Sequence, residues 1–307
     1  MGGRILCIGE CMVELKQAGQ ADLFGKGYAG DTFNAAYYAR QFLPASRKVD
    51  YLTAVGTDLV SREMLAFMEG AGVGTGFVRT VEDRIPGLYM IHLEKGERSF
   101  SYWRSASAAK ALADDPAHLA RAVGASDTIV FSGITLAILA PDAVDRLLDA
   151  LSGARDAGKL VVFDPNIRPR LWDGRARMLE TISRGARAAT LLMPSFDDET
   201  RHFGDASIAE TIARYRGLGV AHVVVKDGEK GVTLAFEGKE TRFVPAAPVA
   251  RVVDTTSAGD SFNGAFLARY GEGEAPEAAA AFAANVAARV IQHHGALVPR
   301  ESLVDAA

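Results

Sequence analysis

The feature that most constrains this chain is an alternation. Short apolar runs at residues 5–8, 49–55, 128–131, 160–163, 191–193 and 222–226, then 231–236 and 241–245, are separated by longer stretches of helical periodicity. Within 141–156, Val144, Leu147, Leu148 and Leu151 fall on one helical face, and 207–218 repeats the pattern. A run that is apolar at every position suits a strand covered on both sides, and strand–helix–strand repetition builds a mostly parallel sheet with helices on both faces. The expected fold is a doubly wound α/β domain. With 307 residues, 49% of them apolar, the chain has material for one large core and a small appendage.

Two segments break the alternation and read as short, half-exposed strands: 12–29 and 87–105. In the second, Tyr89-Met90-Ile91-His92-Leu93 and Ser99-Phe100-Ser101-Tyr102-Trp103 flank the turn Lys95-Gly96-Glu97-Arg98, which predicts a β-hairpin.

Several classes of function are excluded before any motif is read. A net charge of −4, with 23% charged residues, provides no electrostatic footprint for nucleic acid or an anionic membrane. The Ala-rich stretch 278–291 is interrupted by Asn285 and Arg289 and is too short to span a bilayer. The apolar run after Gly2 and Gly3 is too short for a signal peptide and reads as a first buried strand, so a cytoplasmic protein is expected. Cys7 and Cys11 have the spacing of neither a redox pair nor a zinc site, and the six histidines show no metal-ligand spacing. A first strand ending in glycine also begins many dinucleotide-binding domains, but Gly9-Glu10-Cys11-Met12 lacks the G-x-G-x-x-G that admits a pyrophosphate. A small-molecule substrate remains.

The chemistry is carried by Asp254-Thr255-Thr256-Ser257-Ala258-Gly259-Asp260-Ser261-Phe262-Asn263-Gly264. Small residues let backbone N–H groups close on an anion, and a helix start adds the positive end of its dipole. Asp260 sits beside that nest, in a first turn whose dipole favours an ionised carboxylate able to accept a proton. Together these features point to phosphoryl transfer onto a hydroxyl; the bland alternative is a capping Asp at an ordinary helix N-terminus. The segment resembles the D-T-x-x-A-G-D signature of the ribokinase-like (PfkB) carbohydrate kinases, a resemblance that covers nearly the whole chain. Ser257 stands where many members carry Gly, so the loop must turn without glycine's freedom at φ > 0.

That resemblance implies the rest of a kinase. Asp260 would take the substrate proton, and the backbone amides of Ser257, Ala258 and Gly259 would hold the migrating phosphoryl group. Lys226, Gly228 and Gly231 match a K-x-G-x-x-G segment that lies against the nucleotide, although as residues they also read as a β-hairpin turn. Asn166 and Ser195 would belong to the nucleotide side, and Asn285 to the helix bordering the adenine. The family's N-x-x-E near the metal is altered here to Ser195-Phe196-Asp197-Asp198, leaving Asp198 as an indirect metal organiser, while Asp197 and Glu199 read equally as N-terminal helix charges. ATP and Mg2+ are the implied cofactors, and a monovalent cation such as K+ is left open. The implied layout is a nucleotide-binding core of 1–11, 34–84 and 107–307 under a β-sheet lid of 12–33 and 85–106, with exposed lid aromatics such as Phe100 and Trp103 hinting at a homodimer or higher oligomer.

The acceptor side is more particular. Gly30-Asp31-Thr32-Phe33-Asn34 opens a helix and resembles the family's G-D-T-x-N form, with Gly30 permitting close approach and Asn34 able to donate and accept hydrogen bonds. Tyr102 and Arg104 alternate onto one strand face, and a guanidinium beside a phenol suits a carboxylate. Asp164-Pro165-Asn166-Ile167-Arg168 leaves a strand end, where open α/β sheets bind ligands, and Arg168 offers a second cation. These residues resemble the acid-sugar members of the family, which phosphorylate 2-keto-3-deoxygluconate at its terminal 6-hydroxyl. By that resemblance Gly30, Asn34, Tyr89, Tyr102, Arg104 and Arg168 would bind the sugar acid; a role for Glu14 is left open. The alternatives are a fructokinase or ribokinase-like enzyme for a neutral sugar, and a sugar-acid-binding protein that keeps the fold without catalysis.

Overall fold

The computed structural model describes residues 3–17, 23–94 and 97–303. Along the chain run β1 (Arg4–Ile8), β2 (Met12–Gln17), β3 (Phe24–Ala29), α1 (Asp31–Phe42), β4 (Lys48–Leu52), β5 (Ala54–Val55), α2 (Leu59–Gly70) and β6 (Arg79–Thr80). The hairpin β7 (Leu88–Glu94) and β8 (Glu97–Trp103) follows, then α3 (Pro116–Gly124), β9 (Thr128–Ser132), α4 (Gly133–Ile138), α5 (Pro141–Asp156) and β10 (Leu160–Asp164). The remainder is α6 (Arg175–Arg187), β11 (Leu191–Leu192), α7 (Phe196–His202), α8 (Ile208–Gly217), β12 (His222–Lys226), β13 (Gly231–Ala235), β14 (Arg242–Pro245), α9 (Ala258–Tyr270) and α10 (Pro276–Val290).

Eight strands form one sheet in the order β14-β13-β12-β11-β10-β9-β1-β4, parallel from β12 through β4 and antiparallel at the β12–β13–β14 edge. Its two faces are distinct cores, because side chains alternate along each strand. Ile5 and Cys7 of β1 join a cluster with Phe33 of α1, Phe266 of α9 and Val286 of α10. Leu6 and Ile8 join Leu147 of α5, Ile182 of α6 and Tyr215 of α8 on the opposite face. Helices cover both faces, as the doubly wound pattern requires. The chain leaves β1 toward β4 on one side and later builds β9, β10 and β11 on the other, so the order reverses beside β1. Crevices at such reversals, outside the carboxyl ends of the strands, are where open α/β sheets hold ligands.

A second sheet, ordered β3-β2-β7-β8, carries the interrupting segments. The hairpin register pairs Leu88 with Trp103 and Tyr89 with Tyr102. Lys95 and Gly96 of the expected turn, and residues 18–22 of the first segment, lie outside the described residues.

One expectation fails. The run 49–55, read as a single strand, is two: β4 stops at Leu52, and β5 pairs with β6 in a separate two-stranded sheet. The break has a backbone cause, since the carbonyls of Thr53 and Val55 accept from the amides of Arg79 and Val81, each at 2.9 Å, drawing the chain off the large sheet. Among the described residues no helix is long and apolar enough to cross a membrane, and Cys7 and Cys11 are free, buried thiols.

Candidate active site

The predicted signature places its acid at the start of a buried helix. Ser257 is the N-cap of α9 and sits at φ 65°, ψ 12°, the left-handed conformation that a glycine would adopt without cost. That turn lifts the chain so that the amides of Gly259 and Asp260 open the helix, where geometry leaves N–H groups without an intrahelical carbonyl. The Ala258 amide, expected to face the phosphoryl group, is instead donated to the Thr255 carbonyl at 3.2 Å.

Asp260 is held from the facing helix. Asn34 of α1 donates its Nδ2 to Asp260 Oδ2 at 2.8 Å, while its Oδ1 accepts from the Gly30 amide at 3.3 Å. Both capacities of the amide are therefore used within the protein. The two helices approach closely because Gly264 faces α1: a Cβ there would lie 2.4 Å from the Ala35 carbonyl oxygen.

The charge state of Asp260 corrects the sequence argument. Helix-dipole reasoning favours a fully ionised carboxylate, but burial pushes this carboxyl up, and Asp31 and Asp164 nearby push it further. The Asn34 hydrogen bond and Lys226 oppose them, leaving it at about 7. Near neutrality the acid is poised between proton acceptor and proton donor.

A second network adjoins the first. Lys226, at the end of β12, ion-pairs with Asp164 Oδ2 at 2.9 Å and donates to Asn263 Oδ1 at 3.1 Å; Asn263 Nδ2 donates to the same Asp164 oxygen at 2.6 Å. A Cβ on Gly259 would lie 3.5 Å from Lys226 Nζ, so the ammonium stands beside the α9 N-terminus. Asn166, at φ 34°, donates to Asp31 Oδ2 at 2.8 Å. Thus Asp31, Asn34, Asp164, Asn166, Lys226, Asp260 and Asn263 converge at the carboxyl ends of the strands. Asp31, Asp164 and Asn263 were absent from the sequence prediction, although each lies inside a quoted motif.

The remaining nucleotide-side residues lie on separate elements. Gly228 (φ 53°) and Gly231 (φ 129°) form the turn between β12 and β13, so the hairpin reading holds there. Ser195 is the N-cap residue of α7 and bridges to Lys226 through the backbone. Asn285 is exposed on α10 and donates to the Ala281 carbonyl of its own helix at 2.8 Å. The motif variant around Asp198 splits by role. Asp198 ion-pairs with Arg168 at 3.6 Å, Asp197 pairs with Arg201 one helical turn on, and Glu199 is fully buried. Burial pushes Glu199 up to about 7 despite Arg214 and Tyr215, which bond it at 2.6 and 2.9 Å; it belongs to the packing of α7 on α8. Among the described residues no three His, Cys, Asp or Glu side chains form a metal cage. A Mg2+ that enters on nucleotide phosphates and keeps its water shell fits such a donor set.

At the acceptor end the predicted polar groups already have protein partners. Tyr89 donates its hydroxyl to buried Glu14, and its ring packs against that of exposed Tyr102 with centroids 5.9 Å apart. Arg104 follows the last residue of β8 and ion-pairs with buried Glu10, which sequence reading passed over. Arg104 thus lies just beyond the strand that carries Tyr102 and is held by Glu10, so the two do not alternate along one strand as expected. Arg168 has a half-exposed side chain tied to Asp198 and to the Ile167 carbonyl. At Gly30 a Cβ would meet the Glu10 carbonyl oxygen at 2.0 Å, so backbone packing by itself already excludes a side chain there.

Comparison with known proteins bears on this geometry. The profile described as pfkB family carbohydrate kinase matches residues 3–303. The chain is similar to the 2-dehydro-3-deoxygluconokinase of Escherichia coli (strain K12), 39% identical over 309 residues that cover 99% of each chain. It is likewise similar to the 2-dehydro-3-deoxygluconokinase of Dickeya dadantii, 38% identical over 305 residues covering 97% of this chain and 98% of that one. The crystal structure of a PfkB protein from Polaromonas sp. JS666 superposes with a TM-score of 0.83 at 27% identity, covering the whole of both chains.

Proposed function

The chain belongs to the pfkB family of carbohydrate kinases, and from that premise we propose that it transfers the γ-phosphoryl group of ATP to the 6-hydroxyl of 2-keto-3-deoxygluconate (2-dehydro-3-deoxygluconate). The products are 2-keto-3-deoxy-6-phosphogluconate and ADP. The observation that carries the catalytic part is the Asn34–Asp260 hydrogen bond at the α9 N-terminus: it orients one carboxylate oxygen and leaves the other to receive a proton.

In this reading Asp260 accepts the hydroxyl proton as the sugar oxygen bonds to the γ-phosphorus and the bond to the bridging oxygen of ADP breaks. The amides of Ser257, Gly259 and Asp260, with Lys226, stabilise the charge on the transferring group. Mg2+, when bound, neutralises phosphate charge, and Asp198 acts on it indirectly. Gly228, Gly231, Asn166, Ser195 and Asn285 border the nucleotide. Arg104 and Arg168 receive the substrate carboxylate, with Tyr89, Tyr102, Gly30 and Asn34 around the sugar. The four-stranded sheet β3-β2-β7-β8, within the expected 12–33 and 85–106, serves as a lid on a core of 1–11, 34–84 and 107–307, with the first lid segment ending at residue 30 because Asp31–Phe33 open α1 and Phe33 packs in the large-sheet core. Activation by a monovalent cation such as K+, residence in the cytoplasm and pairing of lids into a dimer or higher oligomer belong to the same proposal, the last supported by the exposed Phe100 and Trp103.

The test is ADP release from ATP and Mg2+ with 2-keto-3-deoxygluconate beside fructose, ribose and gluconate. Turnover confined to the keto acid, and reduced about 10²–10⁴-fold in D260A, is the expected result. Turnover mainly on a neutral sugar sinks the carboxylate assignment, and binding of the keto acid without ADP release sinks catalysis itself.

A further inference from the structure

Glu10 occupies the short link between β1 and β2, where the chain passes from the large sheet to the small one. It is 2% exposed, and both carboxylate oxygens are taken: Oε2 by Arg104 Nη2, Oε1 by the Ser107 hydroxyl. The fold makes room for it with two glycines. A Cβ on Gly87 would lie 2.6 Å from Glu10 Oε1 and 3.1 Å from Arg104 Cβ, and one on Gly30 would meet the Glu10 carbonyl oxygen. A carboxylate this deeply buried is costly without a partner, and so is the Arg104 guanidinium, whose side chain is only 12% exposed. Arginine carries large rotamer entropy, and restraining it in advance removes part of that cost from ligand binding.

We propose that Glu10 is a positioning residue for sugar-acid recognition, holding Arg104 at the junction of the two sheets in the arrangement that receives the substrate carboxylate. This rests on the reading that Arg104 meets that carboxylate. Specificity for an acid over a neutral sugar is then set at the exit of β1 as well as on the hairpin. Ser107 holds the other oxygen of Glu10, so the carboxylate cannot turn away from the guanidinium.

The experiment is a double-variant cycle in the full-length enzyme, with E10A, R104A, E10A/R104A and the isosteric E10Q. It reads KM for the keto acid, KM for ATP, kcat and thermal melting. Expected is a rise in keto-acid KM of about tenfold for E10A and for R104A, with kcat within about threefold and ATP KM unchanged. The double variant should be no worse than R104A alone. E10Q, which keeps the shape, should shift KM in the same direction by less, and it carries the test if E10A does not fold. Losses that multiply in the double variant, or an ATP KM that rises in parallel, overturn the proposal. A raised KM in R104A with none in E10A or E10Q overturns the role of Glu10 alone, whereas an unchanged KM in R104A removes the carboxylate reading and this proposal with it.

Discussion

Asp260 is the residue at which titration and function meet. Its folded pKa, pushed up to about 7 by burial and by Asp31, lies well above the ordinary aspartate value of about 3.9. The acid limb of kcat/KM should therefore have its midpoint near pH 7, activity falling below it as the base takes up a proton. Removing the Asp31 charge in D31N should move that limb to lower pH; a limb that stays in place would mean another group controls it. The same shift makes a stability statement. Between about pH 4 and 7 the folded chain keeps a proton that the unfolded chain has released, so the contribution of this group to stability is lost as pH rises through that window. D260N cannot ionise and should melt above the wild type at pH 8, by a margin that shrinks toward pH 5. The signature loop made Asp260 legible in the sequence, because small residues before a helix have a local meaning. Asp31, Asp164 and Glu10 were not, since what matters about each is a partner more than ninety positions away, as in Glu10–Arg104 and Asp164–Asn263, or more than a hundred, as in Asp31–Asn166.

At the scale of elements, the site depends on how closely α1 and α9 pack. Gly264 lets them touch: an added methyl would lie 2.4 Å from the Ala35 carbonyl oxygen and 2.8 Å from Tyr38 Cβ, neither of which can retreat without shifting a helix. G264A should cost about 1–3 kcal/mol by overpacking and lower kcat, because the Asn34–Asp260 bond spans the same interface. Gly153 provides the contrast. It lies on the exposed face of α5 with nothing within 4 Å of an added Cβ, so G153A should be neutral or stabilising by up to about 1 kcal/mol, with unchanged kinetics. Thermal melts and steady-state rates on both variants separate a steric interface from a merely small residue. Helical periodicity was fully informative for 141–156, where the expected and observed bounds of α5 coincide. It was silent about the break after Leu52, because the pull on Thr53 and Val55 comes from the amides of Arg79 and Val81.

For the molecule as a whole, the large sheet is covered on both faces, whereas the small sheet ends in an open edge. β8 is that edge, and it carries Phe100, Tyr102 and Trp103 at 39%, 51% and 57% exposure. Edge strands with unpaired backbone groups and apolar side chains tend to recruit another strand or sheet unless charge or cover blunts them. Tyr89, Tyr102 and Phe100 already form a ladder of rings across β7 and β8, with centroids 5.9–6.3 Å apart, a surface that a second small sheet can extend. The hairpin's alternation and its exposed aromatics were readable from the sequence alone; its place at the sheet edge was not, because strand order depends on β2 pairing with β7 across more than seventy residues. Sedimentation velocity should find a dimer for the wild type at micromolar concentration, and F100E/W103E should sediment as a monomer with an unchanged circular dichroism spectrum. A wild type that sediments as a monomer, or a double variant that remains a dimer, would place the contact elsewhere or remove it. Because Arg104 directly follows Trp103, the monomeric variant should also show a raised KM for the keto acid with ATP KM preserved, linking assembly at the edge to recognition at the site.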